Sequence, residues 1–157
     1  MKTYISVIGV GKENKELNAL AREVGKHIAR RGAILICGGL SGVMNAAACG
    51  AKEYGGLAVG ILPGPDRTGA SNCLDVAIPT DMAHARNALV VRAGDAVIAI
   101  GAGYGTLSEI GLALKMGKPV VGLKTWSLLR DRELDTGLMP AATAEEAVDL
   151  AFKSISR

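Results

Sequence analysis

Six short apolar runs, separated by longer amphipathic stretches, are the feature that most constrains the fold of this chain. Polar residues interrupt these runs only rarely, and the runs do not alternate between apolar and polar positions. Such runs are typical of strands that are buried on both faces of a parallel sheet. They cover residues 4–10, 33–37, 57–62, 75–79, 95–100 and 119–123.

Helical patterns fill most of the intervening sequence, and the predicted helices cover 13–31, 41–55, 81–93, 104–117 and 143–155. This alternation predicts an α/β fold, with a Rossmann-like, doubly wound, mainly parallel sheet flanked by helices on both faces. Turn-forming residues predict a loop over 63–74, and 124–140 is expected to be a loop with a short helical turn. No linker or repeat is visible, so we expect a single domain over 1–157.

Composition excludes several classes of protein. The net charge of +3 comes from 18 basic and 15 acidic residues, without a basic run, which argues against a nucleic-acid partner. No apolar stretch is long enough to span a membrane, and the N-terminus lacks the pattern of a signal peptide. The three cysteines are widely spaced and the chain has two histidines, so we expect reduced thiols, no metal site and a cytoplasmic location.

Glycines cluster where the predicted strands end. In parallel sheets of this kind, ligands bind beyond the carboxyl ends of the strands. Three glycine-rich turns at one edge would let the backbone approach a ligand closely. They contain Gly9 and Gly11 after the first run, Gly38, Gly39 and Gly42 after the second, and Gly101, Gly103 and Gly105 after the fifth.

The glycine turns favour a phosphate over a dinucleotide. The first turn reads "GVGKEN" and lacks the third glycine of G-x-G-x-x-G, and the second run ends in Cys37 without a carboxylate. A G-x-x-x-x-G-K-[ST] motif is also absent. In contrast, "GAGYGT" ends a strand and opens a helix, which directs N–H groups and the helix dipole at an anion. Thr106 adds a hydroxyl, and Tyr104 is an aromatic ring that either faces the pocket or packs on the helix.

Glu109 has two interpretations. Thr106 and Glu109 have the spacing of a capping box, which would make the glutamate a purely structural residue. The same spacing recurs at Thr143 and Glu146, where no glycine cluster precedes it and capping is a sufficient explanation. At 106–109 the glycines place the helix end in the predicted pocket, so the carboxylate could instead face a ligand.

Arg86 favours the functional interpretation of Glu109. On a helix over 81–93, positions 82, 86, 89 and 93 would share one face, and the other three residues are Met82, Leu89 and Ala93. An arginine in an apolar stripe is either a structurally paired or snorkelling side chain or one that reaches a phosphate or carboxylate at the sheet edge.

Three stretches resemble a known family: "CGGLSGVMNAAACGA" (37–51), "MAHARN" (82–87) and "GAGYGTLSE" (101–109). They look like the Lonely Guy, or "lysine decarboxylase-like", Rossmann family, and more closely like its small prokaryotic branch, which also resembles the molybdenum-cofactor carrier protein. The family hallmark P-G-G-x-G-T-x-x-E is matched at Gly103, Gly105, Thr106 and Glu109, and its upstream arginine at Arg86. Gly101, Ala102 and Asn87 replace the proline, the first glycine and the lysine that usually follows the arginine.

The resemblance implies a nucleotide-binding domain and, for its characterised members, a phosphoribohydrolase. Such an enzyme cleaves a nucleoside 5′-monophosphate into free base and ribose 5-phosphate. Glu109 and Arg86 would be catalytic, the turn of Gly103, Tyr104, Gly105 and Thr106 would bind phosphate, and Gly9, Gly11, Gly38, Gly39 and Gly42 would line the nucleotide site. The alternative is a non-catalytic carrier or sensor of a nucleotide or molybdenum cofactor. A homodimer or higher assembly is expected, and no cofactor is implied for the hydrolase.

Overall fold

A computed structural model describes residues 1–155 and contains a seven-stranded sheet, a small hairpin and five α-helices. The strands are β1 (Tyr4–Gly9), β2 (Ile34–Cys37), β3 (Leu57–Leu62), β4 (Val76–Pro79), β5 (Ala96–Ile100), β6 (Val120–Leu123), β7 (Leu129–Arg130), β8 (Glu133–Leu134) and β9 (Leu138–Pro140). The helices are α1 (Lys15–Arg30), α2 (Val43–Glu53), α3 (Arg86–Ala93), α4 (Tyr104–Lys115) and α5 (Ala144–Ile155).

The main sheet is parallel, with the strand order β4-β3-β2-β1-β5-β6-β9. From β1 the chain builds outward to β4 and then returns to add β5 on the other side of β1. The strand order therefore reverses between β1 and β5, which is where open α/β sheets bind ligands. Helices α1, α2 and α5 pack on one face and α3 and α4 on the other, each over its own apolar core. This confirms the predicted doubly wound fold.

Two segments differ from their predicted structure. The predicted helix over 81–93 is a 3₁₀ turn (Ala83–Ala85) followed by α3, so Arg86 opens the helix instead of lying within it. Met82 and Leu89 are 44% and 38% exposed, so the prediction of an apolar stripe that contains Arg86 is wrong, although Arg86 itself is buried. The stretch 124–140 forms the β7–β8 hairpin and then β9, the last strand of the main sheet.

Close packing of α1 against α2 explains the small residues of α2. A Cβ added at Gly50 would lie 2.0 Å from the Arg22 carbonyl oxygen, and one added at Gly25 would lie 2.0 Å from that of Ala47. The small side chains thus let two helices of the same chain approach each other. The composition of α2 therefore no longer argues for a subunit interface, and the homodimer stays a prediction.

The cysteines correct the expectation of three reduced thiols. Cys49 and Cys73 form a disulfide, with their Cα atoms 4.9 Å apart, and Cys37 is free and buried. The bond joins α2 to the 63–74 loop, which the fold places side by side although 24 residues separate the two cysteines. Spacing along the chain could not show this proximity, and a cytoplasmic location can no longer be argued from thiols. None of the helices within residues 1–155 is long and apolar enough to cross a membrane.

Substitution of two helical glycines tests the α1–α2 packing. Gly25→Ala should lower the free energy of unfolding by about 2 kcal/mol or more, because its methyl group would overlap the main chain of α2. Gly111→Ala is the matched control, since a Cβ there meets no atom within 4 Å and alanine is the better helix former. We expect the control to be neutral or more stable by up to about 1 kcal/mol. Equal effects of the two substitutions in urea unfolding would contradict this packing.

Candidate functional site

A cleft of about 260 Å³ lies at the carboxyl ends of β1 and β2, beside the point where the strand order reverses. Helices α2, α3 and α4 each contribute a side chain or a main-chain edge to its wall. Six residues predicted from the sequence line it: Gly9, Gly11, Gly38, Arg86, Gly105 and Glu109. The remaining lining residues are Val7, Ile8, Met44, His84 and Asn87.

Arg86 is held rigidly at the floor of this cleft. Its side chain is buried, and Nη1 donates hydrogen bonds to the carbonyl oxygens of Gly38 at 2.7 Å and Ile61 at 3.0 Å. Nε is buried and has no hydrogen-bond partner in the described chain. Burial lowers the pKa of Arg86 below its usual value, while the nearby Glu109 opposes that shift. Burial removes water from the guanidinium, which is unfavourable unless an anion lies in the same site. The cleft therefore favours an anionic ligand.

Gly38 is needed for this placement of Arg86. A Cβ at residue 38 would lie 2.2 Å from Nη1 of Arg86 and 2.6 Å from the Met44 sulfur. The guanidinium therefore occupies the space above Gly38, where the sequence predicted a close approach of the backbone to a ligand. Any larger residue at this position would displace the arginine.

Glu109 lies one helical turn into α4 and is half-buried. Its carboxylate makes no hydrogen bond within the described chain, and it feels the charge of Arg86 without forming a direct ion pair. Burial raises the pKa of Glu109 from 4.5 to about 7, and Arg86 only partly offsets this. Desolvation is therefore a larger effect on this pKa than the positive charge of Arg86.

The capping-box interpretation of Thr106 and Glu109 does not hold in the structure. Helix α4 begins at Tyr104 with Gly103 as its N-cap, so Thr106 is the third helical residue and its side chain is buried. At Thr143 the side-chain cap does form, since Oγ1 of Thr143 accepts a hydrogen bond from the Glu146 amide at 3.1 Å, and the Glu146 carboxylate in turn accepts one from the Ala142 amide. Glu109 is thus free of the structural role that Glu146 performs.

The amino end of α4 has no side-chain cap, and this distinguishes it from those of α1 and α5, which side chains do cap. Asn14 caps α1 by accepting a hydrogen bond from the Leu17 amide, and a carboxylate oxygen of Glu13 accepts one from the Gly42 amide at the start of α2. No side chain caps α4, and Gly105, its second residue, lines the cleft. Free amides and the helix dipole at this position favour a bound anion.

Five of the residues predicted for the site lie outside the cleft wall. Thr106 is buried, so its hydroxyl does not reach the cleft surface. Tyr104 is 82% exposed and its ring lies 5.6 Å from that of Trp126, on the far side of the turn. Gly39 and Gly42 adopt positive φ angles and pack against Leu62 and the Val10–Gly11 main chain, respectively. Gly103 accepts a hydrogen bond from the Trp126 indole at 3.0 Å.

Sequence reasoning missed His84 and Met44, and it treated Asn87 only as a departure from the family motif. His84 and Asn87 flank Arg86 in sequence, and proximity to Arg86 was the one signal that could have found them. Met44 follows the glycine turn that ends β2 and had no chemical signal of its own.

Comparison with known proteins identifies the family of this chain. Residues 2–148 match the model of the SLOG cluster4 family, LDcluster4. The chain belongs to the SLOG cluster4 family. This covers nearly the whole described chain and confirms the resemblance that the three sequence motifs indicated.

Two solved structures and one sequence relative of this SLOG protein carry informative names. The molybdenum cofactor binding protein of Rippkaea orientalis is 37% identical, with a TM-score of 0.89 over 100% of this chain and 99% of its own. The molybdenum cofactor carrier protein of Chlamydomonas reinhardtii is 36% identical, with a TM-score of 0.86 over 100% of both chains. The cytokinin riboside 5′-monophosphate phosphoribohydrolase of Mycobacterium tuberculosis is 34% identical over 85% of this chain and 79% of its own.

The pKa of Glu109 predicts a pH-dependent effect of Glu109→Gln on stability. Because this pKa is raised on folding, the native SLOG protein binds more protons than the unfolded chain between pH 4.5 and about 7, so stability falls as pH rises through that range. Glutamine removes this loss. The variant should unfold like the wild type near pH 4 and be more stable near pH 8 by roughly 1–3 kcal/mol.

Urea unfolding at both pH values measures the effect, with Glu146→Gln as the control. Glutamine also serves in a capping box, and Glu146 is exposed, so the control should show no such gain at high pH. A Glu109→Gln variant that is less stable than the wild type at pH 8 would show that the ionised carboxylate has a stabilising structural role.

Proposed function

We propose that this protein is a nucleoside 5′-monophosphate phosphoribohydrolase, which hydrolyses the N-glycosidic bond to give free base and ribose 5-phosphate. One observation carries the proposal. The Glu109 carboxylate, which makes no hydrogen bond within the described chain and has a raised pKa, shares a cleft with the hydrogen-bonded Arg86, beside the start of α4, which no side chain caps. Ionisable groups perturbed by burial and by a specific charge partner are concentrated at active sites.

The cleft suits a sugar phosphate. Its volume of about 260 Å³ lies just below the usual range for ligand pockets, which favours a phosphoribosyl group over a whole dinucleotide. The free amides at the start of α4 would bind the 5′-phosphate, and the Arg86 guanidinium would add a positive charge from the floor. Their binding energy would hold the sugar against Glu109.

Glu109 would act at the anomeric carbon. As the bond from C1′ to the base breaks, positive charge develops on the ribose, and a carboxylate can stabilise it or take a proton from the attacking water. A pKa of about 7 gives both the ionised and the neutral form near neutral pH. The similarity to the Mycobacterium tuberculosis phosphoribohydrolase supports this assignment.

The second candidate function is a non-catalytic carrier of a nucleotide or of the molybdenum cofactor. The similarity to the cofactor-binding proteins of Rippkaea orientalis and Chlamydomonas reinhardtii, which extends over the whole chain, favours it. The replacements Asn87, Gly101 and Ala102 in the hydrolase hallmark point the same way. A carrier would need the anion-binding cleft and would have no need for the proton exchange of Glu109.

Release of ribose 5-phosphate from a panel of nucleotides tests the two candidates. We expect slow or selective cleavage of a purine nucleoside 5′-monophosphate and little cleavage of the matching nucleoside, because only the phosphate engages the start of α4. Glu109→Gln should reduce the rate on the order of a hundredfold or more while binding persists, and Arg86→Ala should weaken both. Exposed Glu133→Gln is the control and should leave both unchanged.

The pH profile assigns the form of Glu109 that acts. If the carboxylate is required, the rate should rise as pH increases through about 7, and it should fall if the protonated form is required. Equal nucleotide binding by wild type and Glu109→Gln, without release of ribose 5-phosphate from any monophosphate, would favour the carrier.

A further inference from the structure

The main chain just before Arg86 adopts an unusual conformation. Asp81 and Ala83 have φ angles of 53° and 48°, in the left-handed region, although neither is a glycine. A left-handed φ strains the main chain of a residue other than glycine, and such outliers are concentrated at functional sites. The 3₁₀ turn between Ala83 and Ala85 follows immediately and carries His84.

Hydrogen bonds to the end of β3 hold this conformation in place. The amides of Asp81 and Ala83 donate to the carbonyl oxygens of Gly64 at 2.8 Å and Pro63 at 3.0 Å. The Thr80 hydroxyl donates to the Leu62 carbonyl at 2.7 Å. The segment is therefore fixed at several points, and its left-handed residues are not a consequence of a loose loop.

This segment places His84 on the wall of the cleft, together with Arg86, Asn87 and Glu109. The His84 side chain forms no hydrogen bond or ion pair with the described part of the chain, and the residue is exposed. Its imidazole is therefore available to a ligand. Of the other polar side chains in the wall, the Asn87 amide cannot supply a proton, and the Arg86 guanidinium stays charged in proteins.

Cleavage of a purine nucleotide needs two groups that exchange protons. As the bond from C1′ to the ring nitrogen breaks, its electron pair passes to the base, which leaves readily only if another ring nitrogen gains a proton. The water that attacks C1′ must lose a proton. Glu109 can serve only one of these needs within one step, and histidine is the side chain best suited to the other near neutral pH.

We infer that His84 is the general acid that protonates the departing base in the proposed hydrolysis. The imidazolium gives its proton to the base, the C1′–N bond breaks, water forms the new C1′–O bond, and Glu109 accepts the proton that water loses. Solvent then returns a proton from Glu109 to His84. One water is consumed, and the products are the free base and ribose 5-phosphate. This inference rests on the proposed function.

The test compares two leaving groups in one enzyme. The first substrate is whichever of adenosine or guanosine 5′-monophosphate the wild type cleaves, and the second is its N7-methyl derivative. The methylated base already carries a positive charge and leaves without gaining a proton. His84→Ala should slow cleavage of the first substrate on the order of a hundredfold and change cleavage of the second by less than about threefold. Turnover of the second substrate also shows that the variant is folded.

Two variants serve as controls. Glu109→Gln should slow both substrates, because water must be activated in either case, and Asn87→Ala should change both in the same ratio. If added imidazole partly restores the rate at which the His84→Ala variant cleaves the first substrate, and not the second, this would further support proton donation by His84.

Each remaining outcome overturns the inference in a distinguishable way. If His84→Ala slows both substrates equally, His84 only positions the ligand, and if it slows neither, His84 has no part in the reaction. In both cases the hydrolase stands, because the wild type is active. If the wild type cleaves neither substrate nor any other monophosphate, the proposed function and the inference fall together.

Discussion

The buried guanidinium of Arg86 is the interaction on which the rest of the site depends. It takes two main-chain carbonyl oxygens, those of Gly38 and Ile61, as its acceptors, and these belong to the ends of β2 and β3. One side chain therefore joins two strand ends to the start of α3. The contact also dictates glycine at position 38, because a Cβ would occupy the place of Nη1. Removing the arginine would leave two buried carbonyls unsatisfied as well as an empty cleft floor.

The electrostatics of the cleft follow from this placement. Arg86 supplies a positive charge that is poorly solvated, and the uncapped start of α4 supplies free amides of the same polarity. Glu109 sits near both, and burial still raises its pKa to about 7. The negative charge of a bound phosphate would balance the positive charges of the arginine and the helix end. The carboxyl group of Glu109 would remain available to act on a sugar.

The sequence predicted the fold well because the fold depends on patterns that are local. Apolar runs and helical periodicity placed all of the first six strands of the main sheet, and the glycine turns correctly marked its carboxyl edge. The strands within 124–140 could not be predicted, because β7, β8 and β9 are only two or three residues long, which is too short to show a periodic pattern of apolar residues. The Cys49–Cys73 bond depends on contact between α2 and a loop, which no local pattern encodes.

The site was predicted less completely than the fold. Arg86 was singled out through a helical face that does not exist, since Met82 and Leu89 are exposed. Its own side chain is nevertheless buried. Glu109 was recognised from the sequence as a candidate site residue, but the balance between desolvation and charge at its carboxyl group could not be judged without the depth of burial. Thr106 was expected at the helix end and lies inside it, because α4 starts three residues earlier than the capping pattern suggests. His84 escaped notice because a lone histidine in a turn has no distinctive spacing.

The protonation equilibrium of Glu109 tests the account most directly. Carbon-13 NMR of the labelled glutamate carboxyl groups, with Glu109→Gln to assign the signal, measures its pKa in the protein alone and with ribose 5-phosphate. The account predicts a midpoint near 7 without ligand and a further upward shift when the phosphate binds, because a second negative charge disfavours the ionised carboxylate. A midpoint near 4.5 that ribose 5-phosphate leaves unchanged would contradict both the desolvated carboxylate and its shared site with a sugar phosphate.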